Sequence, residues 1–273
     1  ILTEQNISKM FIATLIPGLL AVIGYIIAIE IFIRFSPESA PSGKPTSFFE
    51  KIISLKNIIP VIFIFFVVIG GIYSGFFTPT EAAAVGASLT GVLAKLLGRI
   101  NLDSFIECLL ETAKYTGIIF LILFGADIFN AFLGRTMLPQ ELSNFLLLIE
   151  IKPYLLLIVI LLIYILLGCF MDSLSMIILT VPIFFPIVIT LDFGLTQTET
   201  ALWFGVLVLI VIEMGLITPP IGLNVFIINA IAKNVSMGQT FLGVVPFLLT
   251  DFIRIILLIF LPSISLFLVR LLS

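Results

Sequence analysis

Long apolar stretches separated by short polar breaks run through the chain. They cover Ile7–Arg34, Ile58–Ser74, Thr80–Gly98, Tyr115–Gly134, Pro153–Leu167, Ser175–Leu191, Thr200–Ile217, Leu223–Ala232 and Phe241–Leu272. Several approach the roughly 20 residues that a helix needs to cross about 30 Å of hydrocarbon. Three other segments are short and half polar: Phe48–Asn57 (FFEKIISLKN), Asn101–Lys114 and Leu138–Glu150. In the second, Phe105, Ile106, Leu109, Leu110 and Ala113 share one helical face, with Asp103, Glu107, Glu111 and Lys114 on another. That pattern predicts an amphipathic helix lying along a membrane surface, and Phe48–Asn57 reads the same way.

Composition turns this pattern into a class. Of 273 residues, 61% are apolar and 11% charged, against roughly 45–50% and 25% in a soluble domain. With a mean hydropathy of +1.33, the chain reads as an all-α integral membrane protein. Disordered, collagen-like and disulfide-scaffold classes are excluded. The net charge of −3, with no basic run, speaks against nucleic acid as a partner. With no histidine, the commonest transition-metal ligand and neutral-pH base are missing. Cys108 and Cys169 form no CxxC pair, so no metal centre, redox pair or cofactor is expected. The chain opens on Ile1 without the layout of a signal peptide and reads as part of a longer protein.

Basic residues set a predicted orientation. Arg34, Lys44, Lys51 and Lys56 flank one loop, Lys95, Arg99 and Lys114 another, and the turn Ser74–Thr78 carries none. Both clusters are then cytoplasmic, the turn is external, and Lys233 marks a third cytoplasmic point.

Two segments are interrupted. The apolar arms around Gly168-Cys169-Phe170-Met171-Asp172-Ser173 reach roughly 22–26 Å each at 1.5 Å per residue, short of a crossing. This predicts a re-entrant hairpin over about 153–191, the alternative being two short helices joined by a surface loop. Thr218-Pro219-Pro220-Ile221-Gly222 lies inside an apolar segment. Two prolines without N–H groups unwind a helix there, giving a broken helix over about 198–232, or more simply a structural kink. Backbone groups freed inside a bilayer need protein, water or ions as partners. A hairpin tip and an unwound helix together are the sequence pointer to a transporter site at mid-membrane.

The chain also resembles itself. Ile7-Ser8-Lys9-Met10-Phe11 leading to Pro17 is similar to Val235-Ser236-Met237-Gly238-Gln239 leading to Pro246, and each precedes a long apolar helix. With opposite starting sides, this is the mark of an inverted repeat. Residues 1–35 would then be the last helix of a first repeat, 36–114 scaffold helices, and 115–273 the transport-type region.

Longer motifs carry a family resemblance. Gly71-Ile72-Tyr73-Ser74-Gly75-Phe76-Phe77-Thr78-Pro79-Thr80-Glu81-Ala82-Ala83-Ala84-Val85-Gly86-Ala87 closely resembles a signature of the large membrane subunit, DctM type, of tripartite ATP-independent periplasmic (TRAP) transporters. Gly215 to Asn224, and Phe170-Met171-Asp172 with the arm to Pro182 and Pro186, resemble two further signatures, and Thr3-Glu4-Gln5 with Pro17-Gly18 fits the family's mid-chain stretch. Where the family often has an asparagine, this chain has Val211. The resemblance implies an Na⁺-coupled secondary transporter of the bacterial cytoplasmic (inner) membrane, working as an elevator. A periplasmic binding protein would deliver an organic-acid anion of the C4-dicarboxylate or sialic-acid class, and a small four-helix membrane subunit would accompany the permease. It places Na⁺ between hairpin tip and broken helix: Gly168, Met171, Asp172, Ser173 and Ser175 against Gly215, Thr218 and Pro219. Asp172, Ser173, Pro220 and Asn224 are the positions expected to face the substrate.

The residues themselves allow several roles. A carboxylate at membrane depth is usually functional, so Asp172 reads as support for the ion site, or as a cap at the tip. Ser173 and Ser175 offer oxygens to a hard cation or cap the second arm. Thr218 is the better oxygen donor because its helix breaks there, and Asn224 is expected to satisfy freed backbone. Glu213 lies one turn before the break, with a polar partner or a coupling role. Thr78-Pro79-Thr80-Glu81 reads as a capping box. Asp127 and Asn130 are intramembrane polar groups or lie near the outer end of their helix, the placement that nearby Arg135 favours. A carrier that needs no binding protein is the nearest rival, with the Gly71–Ala87 motif against it. An intramembrane hydrolase lacks a base, and a plain scaffold does not need unwound backbone.

Overall fold

The computed structural model describes residues 3–37, 47, 58–138, 140–142, 144, 151–232 and 235–272. The Phe48–Asn57 helix, most of the 36–47 loop, most of Leu138–Glu150, and Lys44, Lys51, Lys56 and Lys233 lie outside the described residues. Their regular secondary structure is helical, with no strand among the described residues. Two compact units are present, one of Ile1–Ser39 with Ile122–Ser273, the other of Ala40–Leu121.

The second unit holds α2 (Ile59–Tyr73) and α3 (Pro79–Leu96), packed on each other, and the first part of α4 (Leu102–Thr136). The turn between α2 and α3 is built by its glycines. Gly75 takes φ +76°, open to glycine at no steric cost. At Gly71 a Cβ would stand 2.2 Å from Phe77 Cδ2, so the missing side chain makes room for that ring. Thr78 and Glu81 then start α3 as a capping box: Thr78 N–H donates to Glu81 Oε2 at 2.8 Å, and Glu81 N–H to Thr78 Oγ1 at 3.3 Å. Among the described residues four helices are long and apolar enough to cross a membrane: Ile7–Phe35, Leu102–Thr136, Gln197–Ile217 and Met237–Phe260. α3, expected as a membrane helix, is not one of them, since Glu81, Lys95 and its small residues dilute its apolar character.

The first unit contains α1 (Ile7–Phe35), the rest of α4, α5 (Pro153–Gly168), α6 (Ser173–Ile189), α7 (Gln197–Ile217), α8 (Leu223–Ile231), α9 (Met237–Phe260) and α10 (Ser263–Leu272). α7 is central, packing against α1, α5, α6, α8, α9 and α10. Its stretch from Ala201 to Ile212 has no charged residue, and a helix apolar all round is a buried one. Trp203, Leu207 and Ile212 are completely buried, and Trp203 Nε1 donates to the Leu258 carbonyl of α9 at 2.8 Å.

Two expectations are corrected. The surface helix expected at Asn101–Lys114 is continuous with the apolar segment after it, in one 35-residue helix, α4. No proline interrupts the junction, and residues such as Leu109, Leu110, Ala113 and Lys114 favour helix. Conversely, Phe241–Leu272 is two helices, because Pro262 follows the end of α9 and cannot continue its hydrogen-bond ladder.

Candidate functional site

The hairpin arms are α5 and α6, of 16 and 17 residues, joined by Cys169-Phe170-Met171-Asp172. Asp172 caps α6: its Oδ2 accepts from Ser175 N–H at 3.0 Å, and Ser175 Oγ donates to its Oδ1. The geometry realises the capping reading of Asp172, whose carboxylate is exposed at the tip. Ser173 is the first residue of α6 and is half-buried, as is Met171.

α7 ends at Ile217, and Thr218 leaves the helix with φ −95° and ψ 139°. The Pro219–Pro220 peptide is cis, and Gly222 has φ +56°, so the chain turns through a left-handed residue before α8 begins. Thr218 Oγ1 donates back to the Met214 carbonyl, and Thr218 N–H to Gly215 O at 3.1 Å. Among the described residues no backbone N–H is bonded to the carbonyls of Thr218, Pro220 or Ile221. Free carbonyls and a hydroxyl oxygen are the ligands that hard cations take.

Tip and break touch. Gly168 at the end of α5 crosses Gly215 near the end of α7 so closely that a Cβ on Gly215 would lie 2.7 Å from Gly168 Cα and 2.9 Å from Ile165 O. Only paired glycines allow two helix backbones so near. One residue further, the buried thiol Cys169 Sγ lies 3.3 Å from both Pro219 O and Ile165 O, which share its one proton. The recorded contacts therefore join Gly168 and Cys169 to Gly215 and Pro219. Asn224 stands exposed on the first turn of α8 without a hydrogen bond among the described residues, so the backbone-satisfying role expected for it is not realised. Pro219 and Pro220 are also exposed. Among the described residues no group of three His, Cys, Asp or Glu is placed to hold a metal ion.

The sequence reading passed over four residues that the fold makes conspicuous. Cys169 is one of them, its buried thiol seated at the junction of the hairpin and the break. Tyr25, Asp251 and Arg254 form a buried polar cluster between α1 and α9, with Tyr25 OH donating to Asp251 Oδ2 at 2.8 Å and Arg254 Nη2 2.8 Å from Asp251 Oδ1. A charge pair three residues apart inside an apolar helix was the available signal. Glu213 is exposed on α7 and makes no hydrogen bond or ion pair among the described residues. Asn130, placed near a helix end, has a buried Oδ1 with no hydrogen-bond partner among the described residues.

The profile of the tripartite ATP-independent periplasmic transporter, DctM component, matches residues 1–264. The C4-dicarboxylate TRAP transporter large permease protein DctM of Pseudomonas aeruginosa is 32% identical, over 97% of this chain and 60% of its own length. The sialic acid TRAP transporter large permease protein SiaM of Vibrio cholerae is 31% identical, over 98% of this chain and 61% of its own length. For the 2,3-diketo-L-gulonate TRAP transporter large permease protein YiaN of Escherichia coli the identity is 28%, over 94% and 59%. The chain thus spans about 60% of the length of these curated relatives. With the matched residues running nearly end to end, the chain belongs to the DctM component family, the large permeases of tripartite ATP-independent periplasmic transporters.

Proposed function

We propose that this chain forms part of the permease of an Na⁺-coupled importer of organic-acid anions. The observation that carries the reading is the junction of hairpin tip and helix break, Cys169 Sγ on Pro219 O with Gly168 on Gly215. Na⁺ sits at this junction. Its oxygens come from the carbonyls of the break, chiefly Thr218 and Pro219, and from the Thr218 hydroxyl. Gly168, Met171, Asp172, Ser173, Ser175 and Gly215 form the surrounding shell. Asp172, Ser173, Pro220 and Asn224 face the substrate. Arms of 16 and 17 residues are shorter than about 30 Å of hydrocarbon, which supports a re-entrant hairpin.

Cation binding fixes the tip against the break, and the closed pair travels as one body past a static scaffold. This is the elevator step, with the chain as the second of two inverted repeats. Relatives named for a C4-dicarboxylate, sialic acid and 2,3-diketo-L-gulonate point to an acidic substrate of that kind. A periplasmic binding protein delivers it, and a small four-helix membrane subunit completes the assembly in the bacterial inner membrane. The residues catalyse no covalent step.

The test is uptake into proteoliposomes carrying the complete transporter that contains this chain. Thr218→Val keeps the shape and removes the hydroxyl. It should abolish Na⁺-driven uptake with the protein still folded, and unchanged Na⁺ dependence sinks the assignment. Uptake that persists without a binding protein would favour a free-standing carrier.

A further inference from the structure

α8 is the short half of the broken helix, nine residues from Leu223 to Ile231. Isolated helices below about 12–15 residues are marginal, and Thr218-Pro219-Pro220-Ile221-Gly222 separates α8 from α7. Its place is therefore set by what it packs against. Gly222, Val225 and Asn229, spaced by three and four, share one face. Phe226, Ile227, Ile228 and Ile231 are exposed.

The shared face meets α9 at both ends. At the first, Gly222 makes room for the Phe241 ring: a Cβ there would lie 3.1 Å from Phe241 Cε1 and 3.2 Å from the Thr218 carbonyl oxygen. Val225, between the ends, is completely buried. At the far end the Asn229 amide is spent in full, Nδ2 donating to Thr240 Oγ1 at 2.8 Å and to Val235 O at 3.0 Å. Thr240 Oγ1 donates its own proton to the carbonyl of Ser236, the N-cap of α9, at 3.3 Å. No other side chain of α8 makes a hydrogen bond among the described residues.

Packing alone does not call for an amide here. In lipid an apolar face has no preference for one neighbour over another, whereas two hydrogen bonds from one amide fix register and angle. What they fix lies at the other end of α8. The Thr218 carbonyl oxygen stands against Gly222 and accepts no backbone N–H among the described residues. A shift of α8 therefore moves the residue that backs this oxygen.

We propose that Asn229 is a positioning residue: its amide clasps α8 to the first turn of α9 and, with the Phe241 ring on Gly222, holds the Thr218 carbonyl toward the coupling cation. The cation half rests on the ion-site reading above. The clasp does not, because it predicts the local stability of α8 whatever ion is used.

The experiment uses the complete transporter, purified, with two readouts: amide hydrogen exchange over α8 and equilibrium binding of radiolabelled Na⁺. Asn229→Leu keeps the bulk and removes both bonds. The α8 amides should then exchange about fivefold faster or more, the factor that one lost hydrogen bond represents, with α1 exchanging as in the parent. The Na⁺ half-saturation should rise about tenfold, as loss of an outer-shell partner does at metal sites, with the same number of ions bound at saturation. Thr240→Val removes one of the two bonds and should shift both readouts less, in the same direction. Thr240→Ser keeps the hydroxyl and should match the parent. The double variant of Asn229→Leu with Thr240→Val should go no further than Asn229→Leu, because both cut the same bond. If Asn229→Leu does not fold, Thr240→Val against Thr240→Ser carries the test. Unchanged α8 exchange in the folded variants overturns the proposal, as do shifts that multiply in the double variant, or faster exchange with unchanged Na⁺ affinity in a parent that binds Na⁺. Faster exchange in variants of a parent that binds no Na⁺ upholds the clasp and overturns the ion-site reading instead.

Discussion

Gly215→Ala tests the junction on which the functional reading stands. The added methyl would sit 2.7 Å from Gly168 Cα, 2.9 Å from Ile165 O and 3.1 Å from Gly168 C, all of them backbone atoms. No side chain can rotate away, so α5 and α7 must separate by about 1 Å to reach ordinary carbon contacts of 3.5–4.0 Å. Overpacking of this kind costs about 1–3 kcal/mol. Alanine recovers up to about 1 kcal/mol through its better helix propensity, leaving a net loss of about 1–2 kcal/mol. At about 2–4 °C per kcal/mol for a chain of this size, the melting temperature should fall by several degrees. The same separation stretches the 3.3 Å Cys169–Pro219 contact and should expose Cys169 to alkylation. Gly18→Ala is the control. It lies in α1 with nothing within 4 Å of the new methyl, so it gains propensity and meets no clash. Thermal unfolding followed by fluorescence, with maleimide labelling alongside, reads both effects. If Gly215→Ala melts with Gly18→Ala and Cys169 labels at the parent rate, the glycine crossing does not hold tip to break.

Two further substitutions separate stability from coupling. Asp172→Ala removes the cap of α6 and should cost about 0.5–2 kcal/mol in thermal unfolding; Asp172→Asn keeps the cap but not the charge, so Na⁺ dependence lost in a variant of normal stability assigns the charge to transport, and retained dependence removes it. Trp203→Phe deletes the buried bond to Leu258 O and leaves that carbonyl unpaired, with an expected loss of about 1–3 kcal/mol, measured by differential scanning calorimetry; a loss well below that range would show that α9 is held by packing alone.

Periodicity and punctuation located most helices, because a proline or a polar cap marks many of the boundaries. Pro153 opens α5, Asp172 opens α6, and Thr218-Pro219-Pro220 closes α7. What escaped was non-local. No pattern along the chain reveals that Gly168 will meet Gly215, 47 positions later, or that Tyr25 will find Asp251 across 226 residues. The charged pair Asp251 and Arg254 was visible, but its meaning depends on the α1 and α7 faces that cover it. Asn101–Lys114 erred in the opposite direction. Its amphipathic face was real, yet amphipathicity says nothing about where a helix stops, and no proline marked an end before Thr136.

The capping boxes have a consequence for movement. Thr78 with Glu81, Thr196 with Glu199, and Ser236 with Gln239 each close the first turn of a helix using residues three apart in the chain. The α3 box is self-contained among the described residues, whereas Glu199 of the α7 box also accepts from Arg270 Nε of α10 at 2.7 Å, and Asn229 of α8 donates to Thr240 Oγ1 and Val235 O at the start of α9. α3 can therefore tilt with its first turn intact, while a displacement of α7 or α9 has to carry α10 or α8 along with it or break the bonds from Arg270 and Asn229.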